Sequence, residues 1–592
     1  MKKGLTLVEV LVGVALFLLI AISIYRGYSS VYSVVNASHV KVTATALINE
    51  QFEIIRNLPY TDVGIVSSIP AGVLTHEQTL VRDGVSFFVT TTVRNVDDPF
   101  DGQIGQSPND LSPADYKIVE VDVSCDTCKN FTPMSVTSKI APKNLETAST
   151  NGALFVQVID ANGQPVEGAD VHILNKAPNP DLVIDDVTNA QGMLQIVDVP
   201  PGVNVYEITV SKDGYTSDQT YLSGAVGNPN PLKPHATVAL QQVTAITFVI
   251  DYVSTIKFSS ITALCAPISS IDFSLAGSRL IGTSPDTKKY SASHTTNSSG
   301  KKTVSDMQWD TYTITLTDPS YDLVGVNPLN PFDVIPGATQ DVDLIVAPKN
   351  TKSLLVSVRD ASTLLPVSDA EVTLSLNPFT KTLTTGQGFS SQTDWSGGSG
   401  QDAMSDGTRF FSSDGNLDIN NPVGELRLRN VFGVYPPAGS LISSTFDVGT
   451  TSNFSKIVWE PIDQPAETGT PNVRFQVATN NDGTTWNFVG PDGTNGSFYS
   501  TLNSDLSSVH GGNQFLRYKL FLDTINTAFT PNVSQISFTY TSDCVPPGQT
   551  LFSNLDAGTY TLEISKAGYE DISVDVPISS NWQQYDATFL PE

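Results

Sequence analysis

The order of hydrophobic and polar positions divides the chain into a helical N-terminal part and a much longer β-rich part. Residues 5–24 form an apolar run about as long as a helix that crosses a bilayer. Apolar residues then recur at roughly helical spacing as far as Leu58, and Pro59 is a suitable stop. The pattern predicts a continuous helix over residues 5–57, about 80 Å long at 1.5 Å per residue.

Beyond the helix, runs of β-branched and aromatic residues predict strands. Residues 85–93 and 116–123 are two such runs. Together with the end of the helix they predict a small α+β head over residues 58–147. For the whole chain the predicted fold class is mainly β and multidomain, with one long N-terminal α-helix.

One pattern of strand, turn and strand returns along the β-rich part. Residues 153–160 form a strand-like run, Asn162-Gly163 marks a tight turn, and residues 171–174 form the next strand. Related segments follow at 309–316, 353–358 and 555–569. We therefore predict three tandem β-sandwich modules, with first strands near Phe155, Phe248 and Leu355 and bounds 148–243, 244–349 and 350–592.

The third module opens near residue 353 but closes only after Tyr569, which predicts an insertion at 388–543. The insertion starts in the Gly- and Ser-rich stretch 394–400, which has the composition of a linker. Several short strands follow, and they predict another β-sandwich inside the third module. These strands are 425–428, 456–459, 473–477 and 515–522.

The net charge of the chain limits the classes of molecule that it can bind. It has 60 acidic and 32 basic residues, a formal net charge of −28, and no long basic run. Nucleic acid is therefore excluded by charge, because binding it requires a basic face. An acidic chain rich in Thr, Ser, Asn and Gly is typical of extracellular β proteins. Lys2 and Lys3 before the apolar run predict a cytoplasmic N-terminus and an extracytoplasmic body after Arg26.

The four cysteines leave their pairing open. Cys125 and Cys128 form a CxxC, whereas Cys265 and Cys544 are isolated in the sequence. Outside the cytoplasm a local disulfide between Cys125 and Cys128 is one candidate, and free thiols are the other. A four-thiolate zinc site is disfavoured because no second CxxC is present.

No catalytic motif is present. The chain lacks HExxH, GxSxG and the phosphate-binding GxxxxGK. Its histidines are scattered without ligand spacing: His39, His76, His172, His235, His294 and His510. We therefore expect that the protein is not an enzyme and has no organic cofactor.

Two binding sites are candidates in the insertion. Asp414, Asn416, Asp418 and Glu425 have oxygen ligands at a spacing that suits calcium, although a polar loop before a strand is the simpler interpretation. Trp486 follows a turn and is a candidate for stacking on a glycan. Other aromatic residues of the insertion, such as Trp459 in a strand, are expected in the core.

Glu9 is the one charge within the apolar run, and a carboxylate there is costly unless it is paired. A secretory signal peptide is one interpretation. However, the block Lys2-Lys3-Gly4-Leu5-Thr6-Leu7-Val8-Glu9-Val10 resembles the prepilin leader of type IV pilins and type II secretion pseudopilins. The resemblance implies cleavage after Gly4 by a membrane prepilin peptidase and methylation of the Leu5 amine. It also implies that Glu9 pairs with the terminal amine of a neighbouring subunit.

The β-rich part has resemblances of its own. The segment 148–243 resembles the carboxypeptidase-regulatory-like and adhesin B-type modules, which are Ig-like sandwiches of prealbumin type. The insertion resembles jelly-roll modules that bind galactose or other glycans, and the head resembles that of minor pseudopilins.

Together these resemblances imply a minor type IV pilin or pilin-like surface protein, anchored in the membrane before assembly and then located in a pilus or at the cell surface. It would assemble with other pilin subunits and contact a glycan or another cell-surface ligand. The alternative is a pseudopilin-type component of a type II secretion or DNA-uptake machine.

Overall fold

The computed structural model describes residues 7–128, 131–143, 148–461, 463–501 and 504–592. The fold class is confirmed as mainly β, with one long N-terminal helix and tandem β-sandwiches. The chain forms two compact units. One contains the chain up to Val253 together with residues 280–289, and the other contains residues 254–279 and 290–592.

The α-helix spans Leu7–Arg56, and its second half builds the core of the head. From Val40 onward one face of the helix is buried against a four-stranded antiparallel sheet. Every second residue of strand Tyr116–Ser124 is buried, which is the pattern of a sheet covered on one face. In spatial order the strands are Glu77–Arg82, Val85–Val96, Tyr116–Ser124 and Met134–Ile140. A short 3-10 helix, Tyr60–Asp62, follows the α-helix.

The first module is a sandwich of two sheets. One sheet contains Val243–Val249, Gly152–Ile159 and Met193–Val199 in that order. The other contains Asp218–Gln219, Gly202–Ser211, Asp170–Asn175 and Leu182–Val187, with Ala236–Val238 paired to Gly202–Ser211.

The predicted boundary between the first and second modules is wrong. Strand Val243–Val249 lies parallel to the first strand of the first module, with Phe248 opposite Val158. It is therefore the last strand of that module, and the second module begins with Ser254–Ile261. Phe248 is fully buried in the first module's core, which explains why the segment has the hydrophobic pattern of a module strand.

The second module has the same plan. One sheet contains Lys301–Met307, Ser254–Ile261, Thr339–Pro348 and Tyr321–Asn327; the other contains Ser291–Thr295, Asp272–Gly277, Asp310–Leu316 and Phe332–Val334. The hairpin Leu280–Gly282 and Thr287–Lys288 leaves this sandwich and belongs to the first unit, where Leu232 N donates to Ile281 O at 2.9 Å.

The third module is assembled from segments on both sides of the insertion. Its first strand, Ser353–Asp360, lies parallel to its last strand, Trp582–Phe589. The three-stranded sheet also contains Gln549–Ser553, and the facing sheet contains Phe379–Thr384, Glu371–Leu376, Gly558–Ser565 and Ile572–Ile578.

The inserted β domain, called the insert below, is organised around the long strand Phe446–Glu460. The start of this strand pairs with Asn513–Asp523, and its second half pairs with Gln535–Thr541. The remaining strands of this sheet are Gly388–Gln392, Phe410–Ser413, Ala438–Ser443, Val473–Asn480 and Ser504–Asp505. A small sheet contains Leu417–Asn420, Val423–Leu428 and Asn532–Val533, and 3-10 turns lie at Ala466–Thr468 and Ser508–His510.

The Gly- and Ser-rich stretch 394–400 is not the linker that its composition predicts. Trp395 is fully buried in the core of the insert, and its Nε1 donates a hydrogen bond to the Tyr518 hydroxyl at 2.8 Å. That hydroxyl donates to Gln392 Oε1 at 2.7 Å. One large aromatic side chain therefore anchors a segment that is otherwise typical of a flexible connection.

Candidate functional site

The helix has two environments along its length. Apolar side chains such as Leu11, Phe17 and Ile24 are exposed in its first half, whereas Leu47 and Phe52 are buried in the head. Among the described residues, Val10–Arg56 is the one helix that is long and apolar enough to cross a membrane, judged by length and composition. The first half is thus an uncovered apolar surface that is available to a bilayer or to other helices.

The structure tests few of the predictions for the leader residues. Gly4 and Leu5 lie outside the described residues. Glu9 lies within the helix, in its exposed apolar half. Cleavage after Gly4, methylation of Leu5 and the pairing of Glu9 therefore stay predictions.

Within the first unit, an ion-pair cluster joins the head to the first module. Arg94 on the head donates to Asp186 of the first module and to Glu120 of its own sheet, and the hydrogen bond to Asp186 raises the pKa of the guanidinium. Val183 N also donates to Ser67 O at 2.7 Å. The head and the first module are therefore held together by a partly buried charge cluster and backbone contacts.

Both pairs of cysteines are disulfide-bonded. Cys125 and Cys128 form a local bridge at the end of a head strand. Cys265 and Cys544, which the sequence shows only as isolated residues, are joined across 279 positions with a Cα–Cα distance of 5.4 Å. This second bridge links the loop after the first strand of the second module to the residues that follow the insert's last strand.

Gly449 of the insert lies against the same loop of the second module. A Cβ at this position would lie 1.8 Å from Leu264 O, and the φ of Gly449 is +81°. A side chain is therefore excluded on steric grounds. The insert is thus held at its joint by one covalent bridge and one tight backbone contact.

The structure does not bring the calcium candidates together. Asp414 Oδ1 accepts from Asn416 N at 2.9 Å, and Asp414 Oδ2 accepts from Ser440 N at 2.8 Å. Asp418 lies in strand Leu417–Asn420, which pairs with the strand that contains Glu425. Within the described ranges, no group of three acidic, His or Cys residues could hold a metal ion. Asp414 thus accepts backbone hydrogen bonds at a turn, whereas Asp418 and Glu425 lie on paired strands.

Trp486, the glycan candidate, packs on a buried arginine. The Arg517 guanidinium lies 4.4 Å from the ring centre of Trp486 and 4.3 Å from that of Phe411. The Arg517 side chain is 4% exposed and forms an ion pair with Asp402, whose side chain is 84% exposed. Part of the Trp486 ring is therefore used for cation–π packing, and the ring is half-buried. Contact with a glycan stays a prediction.

His510 is a buried titratable group that its sequence position does not reveal. It is 1% exposed in the insert; its Nδ1 lies 3.0 Å from Thr479 Oγ1, and its Nε2 has no hydrogen-bond partner among the described residues. Burial lowers the pKa of His510 to about 4. The folded insert therefore holds this imidazole in the neutral form.

Acid should consequently destabilise the insert through His510. An unfolded histidine binds a proton below about pH 6.5, whereas folded His510 does so only near pH 4. As the pH falls through this range, protonation of the unfolded state lowers the free energy of unfolding by roughly 3 kcal/mol in total. We expect His510→Asn to remove this part of the pH dependence of unfolding.

Tryptophan fluorescence can follow the transition, since Trp395, Trp459 and Trp486, three of the five tryptophans, lie in the insert. Subtracting the variant's unfolding free energy from that of the wild type at each pH isolates His510, because the other titrating groups contribute equally to both proteins. Parallel stability curves from pH 7 to pH 4 would show that His510 is not held neutral.

The comparisons with known proteins identify one module. Residues 153–250 match the carboxypeptidase regulatory-like domain family, which confirms the resemblance of the first module and includes its last strand. No curated protein matches the chain.

Several solved structures overlap parts of the chain at low identity. The TIE protein of Bacillus anthracis is 11% identical over 53% of this chain and 67% of its own, with a TM-score of 0.15. The shaft pilin spaA of Lactobacillus rhamnosus GG is 14% identical over 34% and 98%, with a TM-score of 0.15. A streptococcal ancillary pilin is 10% identical over 38% and 75%, with a TM-score of 0.17. TM-scores this low do not establish a shared fold, and no function is transferred from these proteins.

Proposed function

We propose that this chain is a minor type IV pilin or pilin-like surface protein that assembles through its N-terminal helix and uses its β domains for adhesion. The observation that carries the proposal is the block Lys2-Lys3-Gly4-Leu5, followed by Glu9 within the first turns of a helix. The first half of this helix is apolar and exposed, and its second half is part of a folded head. A cleaved signal peptide does not require such a division of one continuous helix.

The helix performs assembly by burying its exposed half against the helices of other subunits. Side chains such as Leu11 and Phe17 leave the lipid and pack in the centre of a fibre, while the head stays outside. In that apolar centre the amine of processed Leu5 requires a counter-charge, and Glu9 of a neighbouring subunit supplies it.

The β domains perform no chemistry in this proposal. Of the metal candidates in the insert, Asp414 accepts backbone hydrogen bonds from Asn416 and Ser440, and the chain lacks the HExxH, GxSxG and GxxxxGK motifs. A binding role suits the insert, since it is a separate domain fixed at its joint by the Cys265–Cys544 bridge. Such a joint passes a pulling force from the insert to the first strand of the second module through a covalent bond.

Mass spectrometry of the mature N-terminus tests the proposal. We expect a chain that begins at Leu5 and carries one additional methyl group on its amine. Deletion of the prepilin peptidase should leave residues 1–4 in place and the amine unmethylated. A terminus after Ser23 would instead show ordinary signal-peptidase processing and would remove the basis for a pilin-like function.

A further inference from the structure

One end of the insert exposes a cluster of apolar side chains, called the apolar tip below. Phe432 and Ile525 are 103% and 84% exposed, and Val431, Val434 and Phe529 are 53%, 55% and 39% exposed. Isolated exposed apolar residues are common on protein surfaces, but five together require an explanation.

The five residues lie on two loops that are hydrogen-bonded to each other. Tyr435 N donates to Thr527 O at 2.8 Å, and Thr524 N donates to Pro437 O at 2.9 Å. Leu428 N donates to Thr530 Oγ1 at 2.9 Å. The apolar tip is therefore one surface held in place by the backbone.

Phe432 occupies a backbone position that its side chain does not favour. It has a φ of +51° and is followed by Gly433 at +87°, between Val431 and Val434, which bridge each other. These are the central positions of a hairpin turn at which Asn-Gly is preferred. A bulky residue in the left-handed region is strained, and this one is fully exposed, so the position is not explained by stability.

The apolar tip also differs from the rest of the chain in charge. Its loops, residues 429–437 and 524–531, contain no acidic residue and one basic residue, Arg429; Arg427 precedes the first loop and Asp523 precedes the second. The whole chain carries a net charge of −28. A negatively charged surface would therefore be repelled less strongly by these two loops than by the chain on average.

We propose that the apolar tip inserts into the lipid bilayer of a contacted cell. Phe432 and Ile525 are almost fully exposed, and a bilayer interface accepts such side chains without a complementary pocket. Arg429, which is exposed at the base of the apolar tip, is placed to contact anionic headgroups. This inference deepens the adhesive function and rests on it for the assignment of the insert as the contacting domain.

A flotation experiment with the full-length chain tests the proposal. The chain is held by its N-terminal helix in phosphatidylcholine nanodiscs, which are mixed with separate liposomes, and the fraction of nanodiscs that floats with the liposomes is measured. Phe432→Asn should reduce partition roughly tenfold or more, because one aromatic side chain no longer leaves water. It also creates the preferred Asn-Gly turn, so the fold is retained. Val434→Thr should reduce partition in the same direction.

The matched control is Phe100→Asn, which removes an equally exposed phenylalanine of the first unit. It should leave flotation unchanged. Adding anionic phosphatidylglycerol to the liposomes should strengthen binding, and Arg429→Gln should weaken that gain by about fivefold.

Absence of flotation by the wild-type chain, or an equal loss with Phe100→Asn and Phe432→Asn, would overturn the proposal. If flotation is absent but Phe432→Asn still reduces attachment to cells, the apolar tip binds a protein receptor, and adhesion stands without lipid insertion. If removal of the whole insert leaves attachment intact, another part of the chain makes the contact and the insert is not the adhesive domain.

Discussion

Replacing Glu9 by glutamine should leave the chain cleaved after Gly4 and yet keep it out of fibres. The leader before Leu5 is unchanged, so the peptidase retains its substrate. In the assembled helix bundle, however, the charged amine of a neighbouring Leu5 would be buried without a partner. Breaking a buried ion pair in this way typically costs about 3–5 kcal/mol, which corresponds to a loss of incorporation of roughly a hundredfold or more.

The measurement is the amount of this chain in sheared surface fibres divided by its amount in the membrane fraction. Ser23→Ala is a suitable control in the same exposed half of the helix. Its hydroxyl donates to Leu19 O, four residues earlier in the same helix, so the substitution should have little effect on assembly. Incorporation of Glu9→Gln at the wild-type level would show that the amine and the carboxylate do not pair.

Removal of residues 388–543 should abolish attachment to surfaces without loss of fibres. The segments that build the third module remain, and they lie close together at the site of the deletion, where Gly386 N donates to Gln549 O at 3.0 Å. A short Gly-Ser bridge can therefore close the gap at a small cost in loop entropy. Cys544 is retained, so its bridge to Cys265 can still form.

Piliation and cell attachment are measured on the same deletion strain. The control is a strain with Glu9→Gln, which should lose fibres while its insert stays folded. Loss of fibres in the deletion strain, with the shortened chain folded, would assign an assembly role to the insert. Unchanged attachment would show that another part of the chain makes the contact.

The sequence predicted elements whose determinants are local. The helix was bounded by its apolar spacing and Pro59, and the structure has it at Leu7–Arg56. The turn after the first module strand is encoded in Asn162-Gly163, where Gly163 has a φ of +78° and its N–H donates to Asp160 O. Neither inference requires knowledge of a distant partner.

The errors arose where distant residues decide the structure. The strand Val243–Val249 was assigned to the second module, because nothing in its own composition reveals that it pairs with residues about ninety positions earlier. Trp395 lay in a stretch with the composition of a linker, yet its burial depends on Tyr518. The Cys265–Cys544 bridge joins residues 279 positions apart, and their spacing gives no indication of it.

In the candidate site, too, the sequence predicts local features but not those that depend on distant residues. The calcium candidates had a suitable spacing of oxygen atoms, but the strand pairing that directs Asp414 to Ser440 is not visible in that spacing. Phe432 could have been noticed as an aromatic residue at a turn position before glycine. Its full exposure, and its position beside the loop that contains Ile525, depend on the fold.

The most direct test of the whole account is immunogold electron microscopy with an antibody against the insert, on cells that express the chain with wild-type Glu9. The account predicts gold on surface fibres in wild-type cells, and its loss from fibres in the Glu9→Gln strain. Gold confined to the cell envelope in wild-type cells would contradict it and would favour a component of a secretion or DNA-uptake machine.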